Sequence, residues 1–306
     1  FESNAPGASP SEAATRERKI EWDHTLDSND PRDLELSVTG QTSAGTSAPE
    51  AAPVLWEEGK AAFDRGRYRS SIFFLKRLVD RYPGAPGYLE AHRMLGNAYI
   101  ELNRPDLGIA PLRHYAEALG IDSVAGLRAH LLYGRALVNS KYFHEAELIA
   151  DEVEKGTRPI PNQERDEDTA LAAAEALLLK SEALFGLDHS LRSSQALSSA
   201  KQALRAGVHN RELLGRASLI DLKLKSRECN RLPSRGPLDE GQIRDQLNRR
   251  GLCLLETLLF FRKTMETGDI RSTVSAISEI EGSFREYVEL CARTLEHRIM
   301  RQYEPK

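Results

Sequence analysis

An all-α chain built from recurring helical hairpins is predicted by three observations. From Val54 onward, apolar residues recur at i, i+3 and i+4, and no stretch shows the period of two that a half-buried strand requires. Proline and glycine fall mostly between these series, where helices stop. Gly59, Gly96 and Gly134 recur at spacings of 37 and 38 residues, with the same residue types following each.

Residues 1–53 precede the first hairpin. They are rich in Ser, Ala, Pro, Gly and Thr, with ten acids and four bases for a net of −6, so the rest of the chain carries +2 of the total −4. Such a segment buries too little apolar area to offset its ordering entropy and reads as a disordered acidic tail or linker. One island within it, Ile20–Val38, places Trp22, Leu26, Leu34 and Leu36 among acids. It reads either as a docking motif or as a spacer.

The hairpins occupy 54–208. Seven residues after each repeated glycine comes Gly66, Asn103 or Lys141, at the turn. Two further on, Tyr68, Pro105 and Phe143 open a second helix. Small residues Ser71, Gly108 and Ala146 follow, then Leu75, Leu112 and Ala150. A glycine on the first helix and a small residue on the second let the two backbones approach closely. The hairpins run over about Leu55–Pro83, Leu89–Leu119 and Gly126–Lys155. A fourth is expected over Ala170–Ala206, with Ser181, Leu184, Ala196, Ala200 and Ala203 at the contact positions and a few extra residues in its turn. Residues 209–306 depart from the repeat. They predict a helix over Arg211–Cys229 and two long ones over about Gln242–Glu266 and Asp269–Arg298. Leu252–Phe261 reads as part of a buried helix. Val274, Ile277, Phe284, Val288, Cys291 and Leu295 predict one buried stripe, so this region is expected to cap the array or to form a second small module.

This arrangement resembles the tetratricopeptide repeat (TPR), two antiparallel helices in about 34 residues with small residues at the close contacts. The resemblance implies an α-solenoid, a right-handed superhelix of helical hairpins whose first helices line a concave groove. The groove positions map to Trp56, Lys60 and Phe63 in the first hairpin, to Arg93 and Asn97 in the second, and to Arg128, Leu131, Arg135 and Asn139 in the third. A face so lined is basic and amide-bearing, and suits an acidic or amphipathic protein segment, because guanidinium groups fork carboxylates and aromatic rings anchor apolar side chains. Arg93 and Asn97 partly resemble the carboxylate clamp of chaperone-binding members; the rest of that set is missing. A sharper expectation places the acidic tail itself in this groove, in competition with a partner.

The stretch from Tyr68 to Tyr115, "YRSSIFFLKRLVDRYPGAPGYLEAHRMLGNAYIELNRPDLGIAPLRHY", is similar to TPR lipoproteins of the bacterial envelope, of the outer-membrane assembly, pilotin or gliding-motility type, with Ser71 in place of the usual Ala. That resemblance implies a non-enzymatic scaffold or adaptor in a cell-envelope complex, in the periplasm or at the outer membrane, with a lipid anchor upstream of residue 1. A cytoplasmic chaperone-type adaptor and an enzyme or regulator acting through the last third are the alternatives.

Charge and motifs restrict the other classes. A net charge of −4 and a pI near 6.1 argue against a general nucleic-acid binder. No run of about 18 apolar residues exists, so no membrane span is expected. The chain starts at Phe1 rather than Met and is expected to be a trimmed or processed form. There is no GxxxxGK[ST] and no GxSxG. His144–Glu145 lacks a second histidine, because Leu148 stands where a zinc-protease motif needs it. No enzyme activity, cofactor or metal is therefore expected. Three cysteines lie in the last third, without CxxC spacing. They read either as three buried thiols or as one disulfide, Cys229 with Cys253, plus a free Cys291.

Overall fold

Periodic apolar faces become helices, and the breakers between them become tight turns. The structure, a computed structural model, describes residues 51–158, 166–205, 210–231 and 240–302, all within one unit, Pro49–Lys306. The tail expected over 1–53 lies outside the described residues, except for Ala51–Pro53, which open the first helix. Among the described residues there are eleven α-helices and no strand: α1 (Ala51–Asp64), α2 (Tyr68–Arg81), α3 (Tyr88–Glu101), α4 (Pro105–Leu119), α5 (Val124–Asn139), α6 (Phe143–Gly156), α7 (Glu167–Gly186), α8 (Ser190–Arg205), α9 (Arg211–Asn230), α10 (Glu240–Glu266) and α11 (Ile270–Gln302).

One turn recurs four times. Gly66, Asn103, Lys141 and Asp188 have φ of 72°, 59°, 66° and 64°, in the left-handed region. Each donates its N–H to the carbonyl three residues back, and the following residue donates to the carbonyl five back, at 2.8–3.1 Å. This double bond closes the first helix and turns the chain into the second. The second helices begin two residues later, at Tyr68, Pro105, Phe143 and Ser190. The fourth turn thus has the same length as the others, and the extra residues expected there are absent. Continuing the register puts Ser193 where Ser71, Gly108 and Ala146 stand, and Leu197 where Leu75, Leu112 and Ala150 stand. Ser193 and Leu197 are buried, so they, rather than Ala196 and Ala200, occupy the equivalent positions.

The small residues do what the pattern requires. A Cβ added at Gly108 would stand 2.9 Å from the carbonyl oxygen of Gly96, so α3 and α4 touch backbone to backbone. Around these contacts the apolar faces close. Ile72, Leu75, Leu78, Met94 and Leu95 form the core of the first hairpins. Leu127, Leu131, Val153 and Leu179 join α5, α6 and α7. Leu178, Leu197, Leu204, Leu213 and Ile220 join α7, α8 and α9. Each fully buried leucine contributes about 1.5–3 kcal/mol relative to leaving it exposed. Every helix packs on the next in sequence, and odd-numbered helices also pack on each other: α1 on α3, α5 on α7, α7 on α9, and α9 on α11.

The last three helices form a tied group. Cys229 of α9 and Cys253 of α10 are joined in a disulfide, and Cys291 is free. Ser226 and Ser283 share a hydrogen bond of 2.7 Å between α9 and α11. Gly215 of α9 leaves room for Asp269 and Ser272 at the start of α11. The expected buried stripe is overturned at its first four positions; Cys291 is half-buried, and the Leu295 side chain lies outside the described residues. α11 turns Ser272, Ala276 and Ser283 inward, while Val274 is 61%, Ile277 52% and Val288 61% exposed, and Phe284 is exposed too. On α10, Leu254 is buried but Leu252, Leu255 and Leu259 are exposed. Small side chains set the close contact, and the bulky apolar ones are left outside. A terminal cap presents a polar outer face; this pair of helices does not.

Candidate protein-binding face

The row of odd-numbered helices carries the residues assigned to a groove. On α1, Lys60 is exposed and pairs with Asp64 at 3.3 Å. Trp56 and Phe63 are half-buried and pack on the first core. The Trp56 ring fills the space a side chain at Gly87 would need, and Phe63 meets Tyr68 edge-to-face at 5.5 Å. Both rings serve packing first, which leaves only their outer edges for a ligand.

On α3, the Arg93 Nε donates to Glu90 at 2.6 Å, and this bond, against the burial of the guanidinium, holds the arginine pKa above its ordinary value. Asn97 lies one turn further along, half-buried. On α5, Arg128 is exposed and donates to Asp168 of α7 at 2.6 Å. Arg135 pairs with Glu212 of α9 at 3.0 Å and with Glu175 of α7 at 3.9 Å. Asn139 is exposed. Leu131 is 1% exposed and belongs to the α5–α7 core, so it offers no surface; its apolar neighbours on α6 and α7 claim it.

The expected basic face is therefore corrected. Each of its four cations already has a carboxylate, and on α5–α9 those carboxylates come from neighbouring odd-numbered helices. Arg216 of α9, which the sequence reading missed, completes the ladder. It is 8% exposed, and its guanidinium donates to Glu182 at 3.1 and 2.9 Å and to Glu175 at 3.1 Å. Burial alone would lower its pKa, but the surrounding glutamates, Glu182 foremost, outweigh that and raise it. Lys180 joins α7 to α6 through Asp151 at 2.6 Å and Glu154 at 3.0 Å. The signal for these acids was present in the sequence. Extending the register from Gly134 to Ser181 places Glu175 and Glu182 at the positions held by Arg128 and Arg135 one hairpin earlier.

A second polar feature sits between α3 and α4. His92 and His114 have ring centroids 4.3 Å apart, and Tyr88 meets His92 edge-to-face at 4.9 Å. Neither ring nitrogen of His92 has a hydrogen-bond partner among the described residues. Burial, with a smaller push from His114, lowers its pKa to about 4 against a weaker opposing pull from Asp80. Among the described residues no group of three His, Cys, Asp or Glu side chains is placed to hold a metal ion, and no helix is long and apolar enough to cross a membrane.

No known protein-family model matches this chain, and no curated protein is significantly similar to it.

Proposed function

We propose that the chain is a non-enzymatic protein–protein scaffold of the tetratricopeptide type, working in a bacterial cell-envelope complex. The observation that carries this reading is the fourfold turn, with α1 packed on α3 and α5, α7 and α9 packed in series. First helices packed side by side in this way, α1 on α3 and α5 on α7, offer their outer sides as a face for a partner. That face is polar and balanced in charge, so the partner it fits is an amphipathic segment bearing both signs rather than a purely acidic one. Such a segment exchanges its own ion pairs for those of Lys60, Arg93 and Arg128.

The Cys229–Cys253 disulfide favours the envelope over the cytoplasm. The cytoplasmic chaperone-adaptor reading, which rests on Arg93 and Asn97 alone, has no comparable support. A lipid anchor upstream of residue 1 belongs to the same proposal, as does placement in the periplasm or at the outer membrane. In-cell cross-linking and affinity capture tests it, using the full chain beside a Lys60→Glu/Arg128→Glu variant. Recovery of envelope proteins that the variant loses supports the scaffold and its face. Recovery of the same proteins by both moves binding away from the odd-numbered helices. No enrichment with either defeats the scaffold reading.

A further inference from the structure

The exposed apolar side chains of α11 follow a strict order. Ile270, Val274, Ile277, Phe284 and Val288 recur at steps of four, three, seven and four, with Glu281 at the skipped position and Cys291 three residues further. This is a heptad seam, the period by which one helix packs along another. Among the described residues nothing fills it: α9 and α10 take the opposite, small-residue side at Ser272, Ala276 and Ser283. The apolar part of the seam runs over about 27 Å of helix, a face of a few hundred Å². A lone exposed leucine needs no explanation; a seam of this length does.

The seam is complementary to itself. Glu281 in the seam and Arg285 beside it pair within the helix at 2.6 Å, and both remain largely exposed. Consider two α11 helices laid antiparallel with a two-fold axis near residue 283. Ile277 then lies against Val288 of the second copy, and Val274 lies by Cys291 of the second copy. In that register Glu281 falls opposite Phe284 of the second copy with Arg285 of the second copy next to it, so the one charge in the seam is neutralised twice across the axis. A parallel pair would instead set Glu281 against its own equivalent, and like charges at a seam oppose association.

We infer that the chain forms an antiparallel two-fold dimer through the α11 seam, the occupant being a second copy of the same helix. The contact is small for a specific interface, so a dissociation constant on the order of micromolar is expected. Closed two-fold pairing also limits assembly to two copies.

The test is sedimentation velocity on the full chain from about 1 to 100 µM, beside an Ile277→Glu/Val288→Glu variant. The expected result is a concentration-dependent dimer, with the variant monomeric at every concentration and unchanged in helical circular dichroism, because both side chains are exposed. A second variant fixes the register. Val274→Cys, treated with a thiol oxidant such as diamide, should give a covalent dimer on non-reducing gels, lost on adding Cys291→Ser. Within one helix residues 274 and 291 stand about 25 Å apart, so this bond forms only between copies. A chain that stays monomeric to about 100 µM overturns the inference and leaves the seam to a different protein. A wild-type dimer cross-linked through Cys291 to Cys291 overturns the antiparallel arrangement. Both outcomes are separable from failure of the scaffold reading, which concerns the odd-numbered helix face.

Discussion

Ser181 and Ser193 bond each other reciprocally across α7 and α8. The Ser181 hydroxyl donates to the Ser193 carbonyl at 2.9 Å, and the Ser193 hydroxyl donates to the Ser181 carbonyl at 2.8 Å. The same pair of positions holds Gly96 and Gly108 two hairpins earlier. Glycine makes the close contact by having no side chain; serine makes it by satisfying its hydroxyl on the facing backbone. Ser193→Ala should cost about 1 kcal/mol, one net hydrogen bond. Ser193→Leu should cost about 3 kcal/mol by overpacking a contact with no slack. Urea denaturation of the two variants beside the wild type separates the effects.

Lys141 turns α5 into α6 with φ of 66°, a conformation in which its Cβ crowds the backbone. Gly66 occupies the same place in the first hairpin without that strain. Lys141 is exposed, and its side chain has no role in the turn. Lys141→Gly should therefore raise stability by up to about 1 kcal/mol, offset in part by the greater freedom of glycine in the unfolded chain. An unchanged or lowered midpoint of thermal unfolding counts against the argument.

Arg216 stands between Glu175 and Glu182 with almost no exposure. Removing it takes the shared cation from both carboxylates and leaves Arg135, 3.9 Å away, near Glu175. Arg216→Met should destabilise by about 3–5 kcal/mol, the cost of breaking a buried ion pair from one side. Arg216→Lys should recover little, because an ammonium cannot fork two carboxylates. The triple replacement of Arg216, Glu175 and Glu182 by apolar residues of similar volume should be milder than Arg216→Met alone. Denaturant unfolding of the three variants tests this ordering.

Which parts of this architecture were legible follows from the range of the signals. Turns and helix starts are local: the seven-residue interval from Gly59 to Gly66 and from Gly96 to Asn103 marks them, whereas the same interval from Ser181 to Asp188 was overlooked in favour of a longer fourth turn. The sign of the first-helix face is not local. Reading Arg128 and Arg135 alone predicts a basic groove; Asp168 and Glu212, 40 and 77 residues away, neutralise it. Burial on α11 failed for another reason. Hydrophobicity predicts which residues leave water, yet Ser272, Ala276 and Ser283 were drawn inside because small side chains allow α11 to approach α9. The apolar periodicity of Val274, Ile277, Phe284 and Val288 was legible, but it was read as a buried stripe, and these side chains are exposed.

Cys229 and Cys253 close a loop across a sequence separation of 24 residues, tying α9 to α10. A loop of that size is worth about 3.5 kcal/mol in the chain-entropy account. Denatured but unreduced protein should show one titratable thiol, that of Cys291, and three after reduction. Reduction should lower the unfolding midpoint and loosen α10 and α11 first, read as faster hydrogen exchange there than in α1–α6. Equal loosening throughout would mean that the disulfide supports the whole array rather than its end.

His92 supplies the pH dependence. In the folded chain its pKa falls to about 4 through burial and the nearby His114, whereas an unfolded histidine titrates near 6.5. The neutral ring is the native form, and the unfolded chain binds the extra proton more readily. The contribution is thus fully present above about pH 6.5, declines as pH falls toward 4, and amounts to at most about 3 kcal/mol. Asp80 works against the shift without cancelling it. His92→Phe keeps the ring against Tyr88 and removes the titration. Its unfolding free energy should fall less than that of the wild type between pH 6.5 and 4.5, with the two curves parallel above pH 7. Curves that stay parallel throughout would show that His92 titrates alike in the folded and unfolded chain.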